Sequence, residues 1–217
     1  MNNILILTGG IFWLLVYIEI IRKGFKDKTY GMPLAALLVN ISWEFISSFV
    51  FPAEGIQLYI NYLWFFLDLV ILLQLLIYWK NEFDIKSSFI FYSFIFISGL
   101  TAYFIVLIFS KEFGITIGSF YVAFGDNLMM SILFITMLLH RKSLRGQSIS
   151  IALFKLLGTL FIVIAYYDFT TEIRNSLLLQ FLYISIFVFD FIYLCLVYLQ
   201  SKKSFLFPSV KDKILQY

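Results

Sequence analysis

Asn40-Ile-Ser-Trp43-Glu44-Phe45-Ile-Ser-Ser-Phe-Val-Phe-Pro52 places a carboxyl group inside a run, about Met32 to Phe51, that is otherwise apolar enough to cross a bilayer. Such a run has roughly the length a helix needs to span hydrocarbon. Glu44 lies about 12 residues in, or ~18 Å along a helix rising ~1.5 Å per residue, close to the middle of the membrane. A carboxylate there costs at least ~2.5–3.5 kcal/mol, so such a group faces a polar interior and usually has a task. Asn40 and Ser47 fall four residues before and three after it, on the same helical face. Trp43 is its neighbour and Pro52 ends the helix. The plain alternative is a protonated, hydrogen-bonded Glu44 that only locks two helices together.

The whole chain shares this character. Its 217 residues are 62% hydrophobic, 21% aromatic and only 13% charged, with a mean hydropathy of +0.94. Soluble domains are about a quarter charged, so the chain belongs to the membrane class. In lipid only helices and closed barrels satisfy the backbone, and long unbroken apolar runs select helices. The expected fold is all-α, a single polytopic domain. One cysteine, Cys195, excludes an intramolecular disulfide, and one histidine, His140, leaves no His/Cys metal cluster. The net charge of +3 is dispersed among loops and does not indicate nucleic acid.

Seven spans are predicted, at about 3–21, 32–52, 57–79, 87–110, 115–139, 149–167 and 177–199. The first lacks a basic leader region and a small-residue cleavage site, and is expected to be retained. Thirteen basic residues lie on one side, at Arg22, Lys23, Lys26 and Lys28, then Lys80 and Lys86, then Arg141, Lys142 and Arg145, and four beyond Lys202 inclusive. The opposite loops hold only Lys111 and Arg174, beside Glu54, Glu112, Asp168 and Glu172. The positive-inside rule then predicts an outside N-terminus and a cytoplasmic C-terminus. The basic tail over 201–217 either lies along the inner leaflet or frays. Lys155, one turn into the sixth span, is expected to snorkel to the inner interface. The turn around Arg141 and Arg145 suits a phosphate or merely follows the orientation bias.

Four acids fall near mid-span: Glu44, Asp68, Asp126 and Asp190, with Asn127 beside the third. Acids at one depth on different helices point to a shared polar pocket, or to separate helix–helix hydrogen bonds of ~0.6 kcal/mol each. Burial disfavours a carboxyl group's charge, and a neutral buried acid is a proton donor. Aromatics surround these positions, among them Trp43, Trp64, Tyr121, Phe124 and Tyr193. Aromatic faces stabilise cations, more so without water, and an acid in a dry aromatic cavity suits a carbocation cascade. Most rings in such a chain nevertheless fill the core or face lipid.

With Pro52 downstream of Trp43-Glu44, Trp64-Phe-Phe-Leu-Asp68, Asn127 through Arg141, Gly146-Gln147-Ser148, Lys155, Gly158-Thr159 and Phe189-Asp190-Phe191-Ile-Tyr193, the chain resembles the small seven-helix membrane terpene cyclases of meroterpenoid and indole-diterpene pathways. That resemblance implies two essential acids, matching Glu44 and Asp190. It also implies protonation of an epoxide or olefin on a prenylated substrate and ring closure without metal or cofactor. Asn40, Trp43, Trp64, Asp68, Asp126 and Asn127 are the expected supporting residues. The bilayer and a hydrophobic prenylated molecule are the expected partners, with the protein integral to a membrane. A small proton-coupled transporter, or a non-enzymatic membrane protein using the acids structurally, is the alternative; the absence of internal repeats speaks against the former.

Overall fold

A computed structural model describes residues 3–167 and 169–202. The tail expected over 201–217 lies, from residue 203 onward, outside the described residues. Among the described residues every regular element is helical. Six helices are long and apolar enough to span a membrane: α1 (Asn3–Asp27), α3 (Ile56–Tyr78, continued by a 3₁₀ turn to Asn81), α4 (Ser88–Glu112), α5 (Ile115–Arg141), α6 (Ile149–Tyr166) and α8 (Leu177–Ser201). The shorter α2 (Leu34–Phe45) runs straight into a π-helical turn, Ile46–Val50. Together they span about 25 Å at ~1.5 Å per residue, somewhat short of the hydrocarbon thickness. These elements stand where the seven spans are expected.

The boundaries differ in two places with physical reasons. α1 continues past residue 21 to Asp27, because Arg22 pairs with Glu19 and Lys23 with Asp27, each at 2.7 Å, along the helix itself. The connection after α6 contains a further short helix, α7 (Thr171–Asn175), started by Thr170, whose hydroxyl accepts from Ile173 N at 3.2 Å. Serines 87, 148 and 176 cap α4, α6 and α8 in the same way, satisfying amide donors left open at each helix start.

α1 packs on α3 and α6, α2 on α3, α4 and α5, and α8 on α5 and α6. The contact between α1 and α6 is close because it is made of glycines. A Cβ on Gly158 would lie 2.8 Å from Trp13 Cδ1, and one on Gly9 would lie 3.1 Å from Gly158 O. Small residues of this kind let membrane helices approach where burial from water cannot drive them together. The consequence is positional: Trp13 is pressed against α6, within reach of Lys155.

At one end of the bundle the α1–α2, α3–α4 and α5–α6 connections are knotted together by charge. Arg141 Nε lies 3.1 Å from Glu82 Oε2, and Arg145 Nη1 lies 3.0 Å from Glu82 Oε1. Arg141 also donates to Tyr30 O and Arg145 O, and Arg145 to Asp27 O and Lys28 O. Arg141 and Glu82 are largely buried. Both arginines of the basic turn therefore pair with groups of the protein itself, Arg141 buried and Arg145 partly exposed. Gly146, at φ +72°, closes the turn where a Cβ would meet Arg141 Nη1 at 2.9 Å, and its amide donates to Asp27 Oδ2 at 2.8 Å. Only a residue without a side chain fits there.

Candidate active site

Two polar clusters occupy the interior. The first joins α1, α2 and α3. Glu44, Asp68 and Tyr17 are all buried. The Tyr17 hydroxyl donates to Glu44 Oε1 at 2.7 Å. Asn40 Nδ2 donates to Tyr17 Oη at 2.6 Å, to Asp68 Oδ2 at 2.8 Å and, more weakly, to Glu44 Oε1 at 3.1 Å. Asn40 and Glu44 meet Tyr17 and Asp68 because an i, i+4 pair lies on one helical face, here the face that α2 turns toward α3. Both donors converge on Oε1, which makes it the accepting oxygen of Glu44. Glu44 Oε2 and Asp68 Oδ1 have no hydrogen-bond partner, and the Asn40 amide bridges the two carboxyl groups. A proton on either carboxyl group would give one of those oxygens a hydrogen to donate.

Immediately after Glu44 the helix widens into the π turn. Phe51 N–H donates to Ile46 O at 2.7 Å and Ala53 N–H to Ser47 O at 2.9 Å, across Pro52, which has no N–H to offer. Single π turns recur next to functional residues. The turn diverts Ser47 from the acid's side chain: its hydroxyl accepts from Asn61 Nδ2 at 3.1 Å on α3. Trp43 points elsewhere too. Its indole N–H donates to Ser119 of α5, at 3.0 Å to O and 2.9 Å to Oγ, so it braces α2 against α5 rather than lining the acid pair.

The second cluster joins α5, α6 and α8 around Lys155. Its Nζ donates to Asn127 Oδ1, Ser131 Oγ and Asp190 Oδ1, each at 2.7 Å, and its exposure is 0%. Asn127 Nδ2 donates onward to Thr159 Oγ1 at 2.9 Å. The expected snorkelling of Lys155 is thus incorrect. Three acceptors use all three ammonium hydrogens, and an ion pair with Asp190 replaces the interface as the place for the charge. Asp190 Oδ2 has no partner.

Aromatic side chains separate the clusters. Trp13 packs edge-on to Trp64 with centroids 6.5 Å apart and tilted to Tyr17 at 6.3 Å, while Lys155 Nζ lies 5.6 Å from the Trp13 ring centroid. Asp126 is buried as well, and its Oδ1 has no hydrogen-bond partner. Glu44 and Asp190 therefore do not share one set of contacts. The carboxyl partner of Glu44 is Asp68, whereas Asp190 is bound by Lys155. Tyr17, Trp13 and the interior position of Lys155 are the residues that sequence reasoning passed over.

A groove of about 230 Å³ runs between α6 and α8. Leu156, Leu160 and Val163 face Ile184 and Phe187 across it, and Asp190 forms part of its wall. Glu44 does not line it. No group of three or more His, Cys, Asp or Glu able to hold a metal occurs among the described residues.

The profile of the Pyr4-like transmembrane terpene cyclases matches residues 1–203. Among curated proteins, the Pyr4-family terpene cyclase mfmH of Annulohypoxylon moriforme is 28% identical over 163 residues, covering 72% of this chain and 66% of that protein. Asnovolin H synthase nvfL of Aspergillus novofumigatus is 32% identical over 165 residues, 74% of this chain and 67% of that protein. Terpene cyclase penB of Penicillium crustosum is 41% identical over 54 residues, 25% of this chain and 22% of that protein. The chain thus spans about two thirds of the length of the first two relatives and far less of the third. No solved structure matches.

Proposed function

The chain belongs to the family of Pyr4-like transmembrane terpene cyclases, and from that premise we propose that it cyclises a prenylated lipidic substrate, with Glu44 as the initiating acid and Asp190 as the terminating base. The observation that carries the division of roles is the partner each carboxyl group keeps. Glu44 shares the Asn40 amide with a second carboxyl group, Asp68, and has no cation among its hydrogen-bond partners. Two carboxylates side by side repel, which favours retaining one proton between them. Asp190 is matched one-to-one with the ammonium of Lys155. That pairing suits a carboxylate with one free oxygen.

In the proposed reaction the Glu44 proton passes to an epoxide oxygen or to an alkene carbon at the chain end. The C–O bond opens, or the C=C bond is consumed, and leaves a tertiary cation. Successive alkenes attack and form the new C–C bonds. A proton then leaves the carbon next to the last cation for Asp190 Oδ2, and its C–H electrons become the final double bond. Substrate and product are isomers, and the proton returns to Glu44 before the next turnover. Trp13, Tyr17 and Trp64 offer aromatic faces to passing positive charge. General acid catalysis contributes typically ~10²–10⁴-fold.

We place the basic-loop end of the bundle in the cytoplasm, because 13 basic residues against 2 is a strong positive-inside bias. A cysteine introduced at position 54 should then react with reagents from the outer side alone.

The function is tested with wild-type protein in membranes, offered plain and terminally epoxidised polyprenyl substrates in D₂O. Cyclised isomers are expected. A non-exchangeable deuterium in the product marks protonation at carbon, and its absence marks epoxide opening. Folded protein that cyclises none of them overturns the assignment.

A further inference from the structure

We propose that a row of buried polar atoms, Asp190 Oδ2, Tyr193 Oη and Gln147 Oε1, binds water and leads from Asp190 to the basic-loop end of the bundle, as the route by which the proton collected at Asp190 leaves. The water site stands on geometry alone, and its use in proton release rests on the cyclase function above.

Each of the three atoms is buried and has no hydrogen-bond partner in the protein. The residues that carry them are 0%, 0% and 1% exposed. They follow one another in space. Tyr193 stands three residues after Asp190 on the same face of α8, about 4.5 Å along the axis. Tyr193 and Gln147 both meet Phe134. The phenol ring stacks on the Phe134 ring with centroids 5.2 Å apart, and Gln147 Nε2 donates to Phe134 O at 3.3 Å. The amide nitrogen of Gln147 is thus spent on structure, while its carbonyl oxygen is not. Gln147 directly follows Gly146, whose N–H donates to Asp27 Oδ2, and the side chain of Arg145 beside them is 35% exposed. The row therefore begins at an interior carboxylate and ends next to groups that water reaches.

Buried polar atoms without a partner are rare, and internal water making two to four hydrogen bonds is their usual complement. The atoms suit it. Two acceptors, Asp190 Oδ2 and Gln147 Oε1, flank a hydroxyl that both donates and accepts. Water and the phenol each hand a proton on, whereas the Gln147 oxygen only accepts and so orients the last water. The other surroundings of Asp190 offer no such exit. Lys155 already uses its three ammonium hydrogens and takes no fourth. On the groove side Leu156, Leu160, Val163, Ile184 and Phe187 accept nothing, and Tyr183 lies two turns away toward the opposite end of α8. In the release step the Asp190 O–H bond breaks as a new O–H bond forms on the adjacent phenol or water. Each following carrier passes one proton on, and one proton emerges at the loop end. The carboxylate regains its charge opposite Lys155, and solvent resupplies Glu44.

The experiment uses the full chain in phosphatidylcholine nanodiscs without substrate. Millisecond X-ray radiolysis turns water into hydroxyl radicals where it stands, and peptide mapping by mass then locates the hydroxylated side chains. Phe134 and Phe91 form a matched pair, being 0% and 1% exposed and each stacked on another ring. Phe134 and Tyr193 should be hydroxylated several-fold faster than Phe91. Equally slow labelling of Phe134 and Phe91, or labelling at Tyr183 in place of Tyr193, overturns the proposal. Tyr193→Phe keeps the ring on Phe134 and removes the hydroxyl. In rapid-quench kinetics with a polyprenyl compound that the wild type cyclises, this variant should complete its first turnover at the wild-type rate and slow afterwards, giving a burst of one product per protein. A hydroxyl that only packs would slow every turnover alike or none, and either result overturns the route. The radiolysis needs neither turnover nor variant, so it decides the matter where Tyr193→Phe folds poorly. The two failures are also distinct: fast labelling of Phe134 without cyclisation removes the cyclase function and keeps the water row, and cyclisation with a dry Phe134 does the reverse.

Discussion

The two interior clusters contain the same kind of group and surround it differently. The Glu44 cluster contains two carboxyl groups, a phenol and an amide, and no cation donates a hydrogen bond within it. Around Asp190 there is an ammonium whose every hydrogen is used. On the proposed reading one cluster retains a proton and the other retains a charge. A carboxyl group's chemistry is set by its hydrogen-bond partners, and the opposite tasks proposed for Glu44 and Asp190 rest on that difference.

The largest expected effect follows at the proton-holding cluster. Glu44→Gln keeps size and both acceptor bonds at Oε1 and removes the acidic hydrogen. Turnover should fall by ~10²–10⁴-fold, the usual worth of a general acid, while the folded fraction in detergent is unchanged. A Glu44→Gln protein that cyclises at the wild-type rate would assign the acid elsewhere, with Asp68 next in line.

At the charge-holding cluster the outcome should differ in kind. Asp190→Asn removes the base and also strands the Lys155 ammonium, and breaking a buried ion pair costs ~3–5 kcal/mol. Thermal stability should therefore drop with activity. Adding Lys155→Met to Asp190→Asn should restore much of the stability, since an apolar replacement of both partners is often neutral. Activity should stay lost. Size-exclusion melting curves alongside product assays read both quantities, and a stable, well-folded Asp190→Asn single variant would break the contrast between the clusters.

Asp68→Asn stands between these extremes. The amide can still accept at one oxygen but cannot share a proton with Glu44. Turnover should fall less than for Glu44→Gln, on the order of tenfold for one lost charge-assisted hydrogen bond. A loss equal to that of Glu44→Gln would make Asp68 the acid.

Much of this was legible in the residues themselves. Apolar runs located the long helices, and four acids within them marked the polar interior, because charge in lipid stands out against any background. The partners did not stand out. Tyr17 and Trp13 are two aromatics in a chain that is 21% aromatic, and nothing local distinguishes a ring that meets an acid from one that meets lipid. Lys155 lies at a depth from which a lysine reaches the interface, and only the adjacency of α5, α6 and α8 shows that Asp190 is nearer. Likewise, Gly146-Gln147-Ser148 is an evident motif, but its work is structural: Gly146 binds Asp27, Gln147 Nε2 donates to Phe134 O at 3.3 Å, and Ser148 caps α6. Which helix faces which is a tertiary fact. Pairing between clusters depends on it, and periodicity along one span does not carry it.

The smallest effect, and the sharpest test of the proton-holding cluster, is expected at Tyr17. Its hydroxyl accepts from Asn40 and donates to Glu44 Oε1, so it transmits the amide's hydrogen bond to the acid. On the proposed reading this fixes Oε1 as acceptor and leaves Oε2 to bear the proton. Tyr17→Phe deletes one oxygen and leaves the ring against Trp13 and Trp64. Asn40 already lies 3.1 Å from Oε1 and can close in on it. The net loss should be that of a single neutral hydrogen bond, about 0.5–1.5 kcal/mol, or roughly 2–10-fold in turnover. A merely structural Tyr17 would lower stability and leave the rate of folded protein unchanged. A positioning Tyr17 lowers the rate with little change in KM, because the acid's orientation matters when the proton moves and not when the chain binds. Combined with Glu44→Gln, Tyr17→Phe should then cost nothing further in rate. An additive loss in the double variant would show that Tyr17 acts on the substrate directly and not through Glu44.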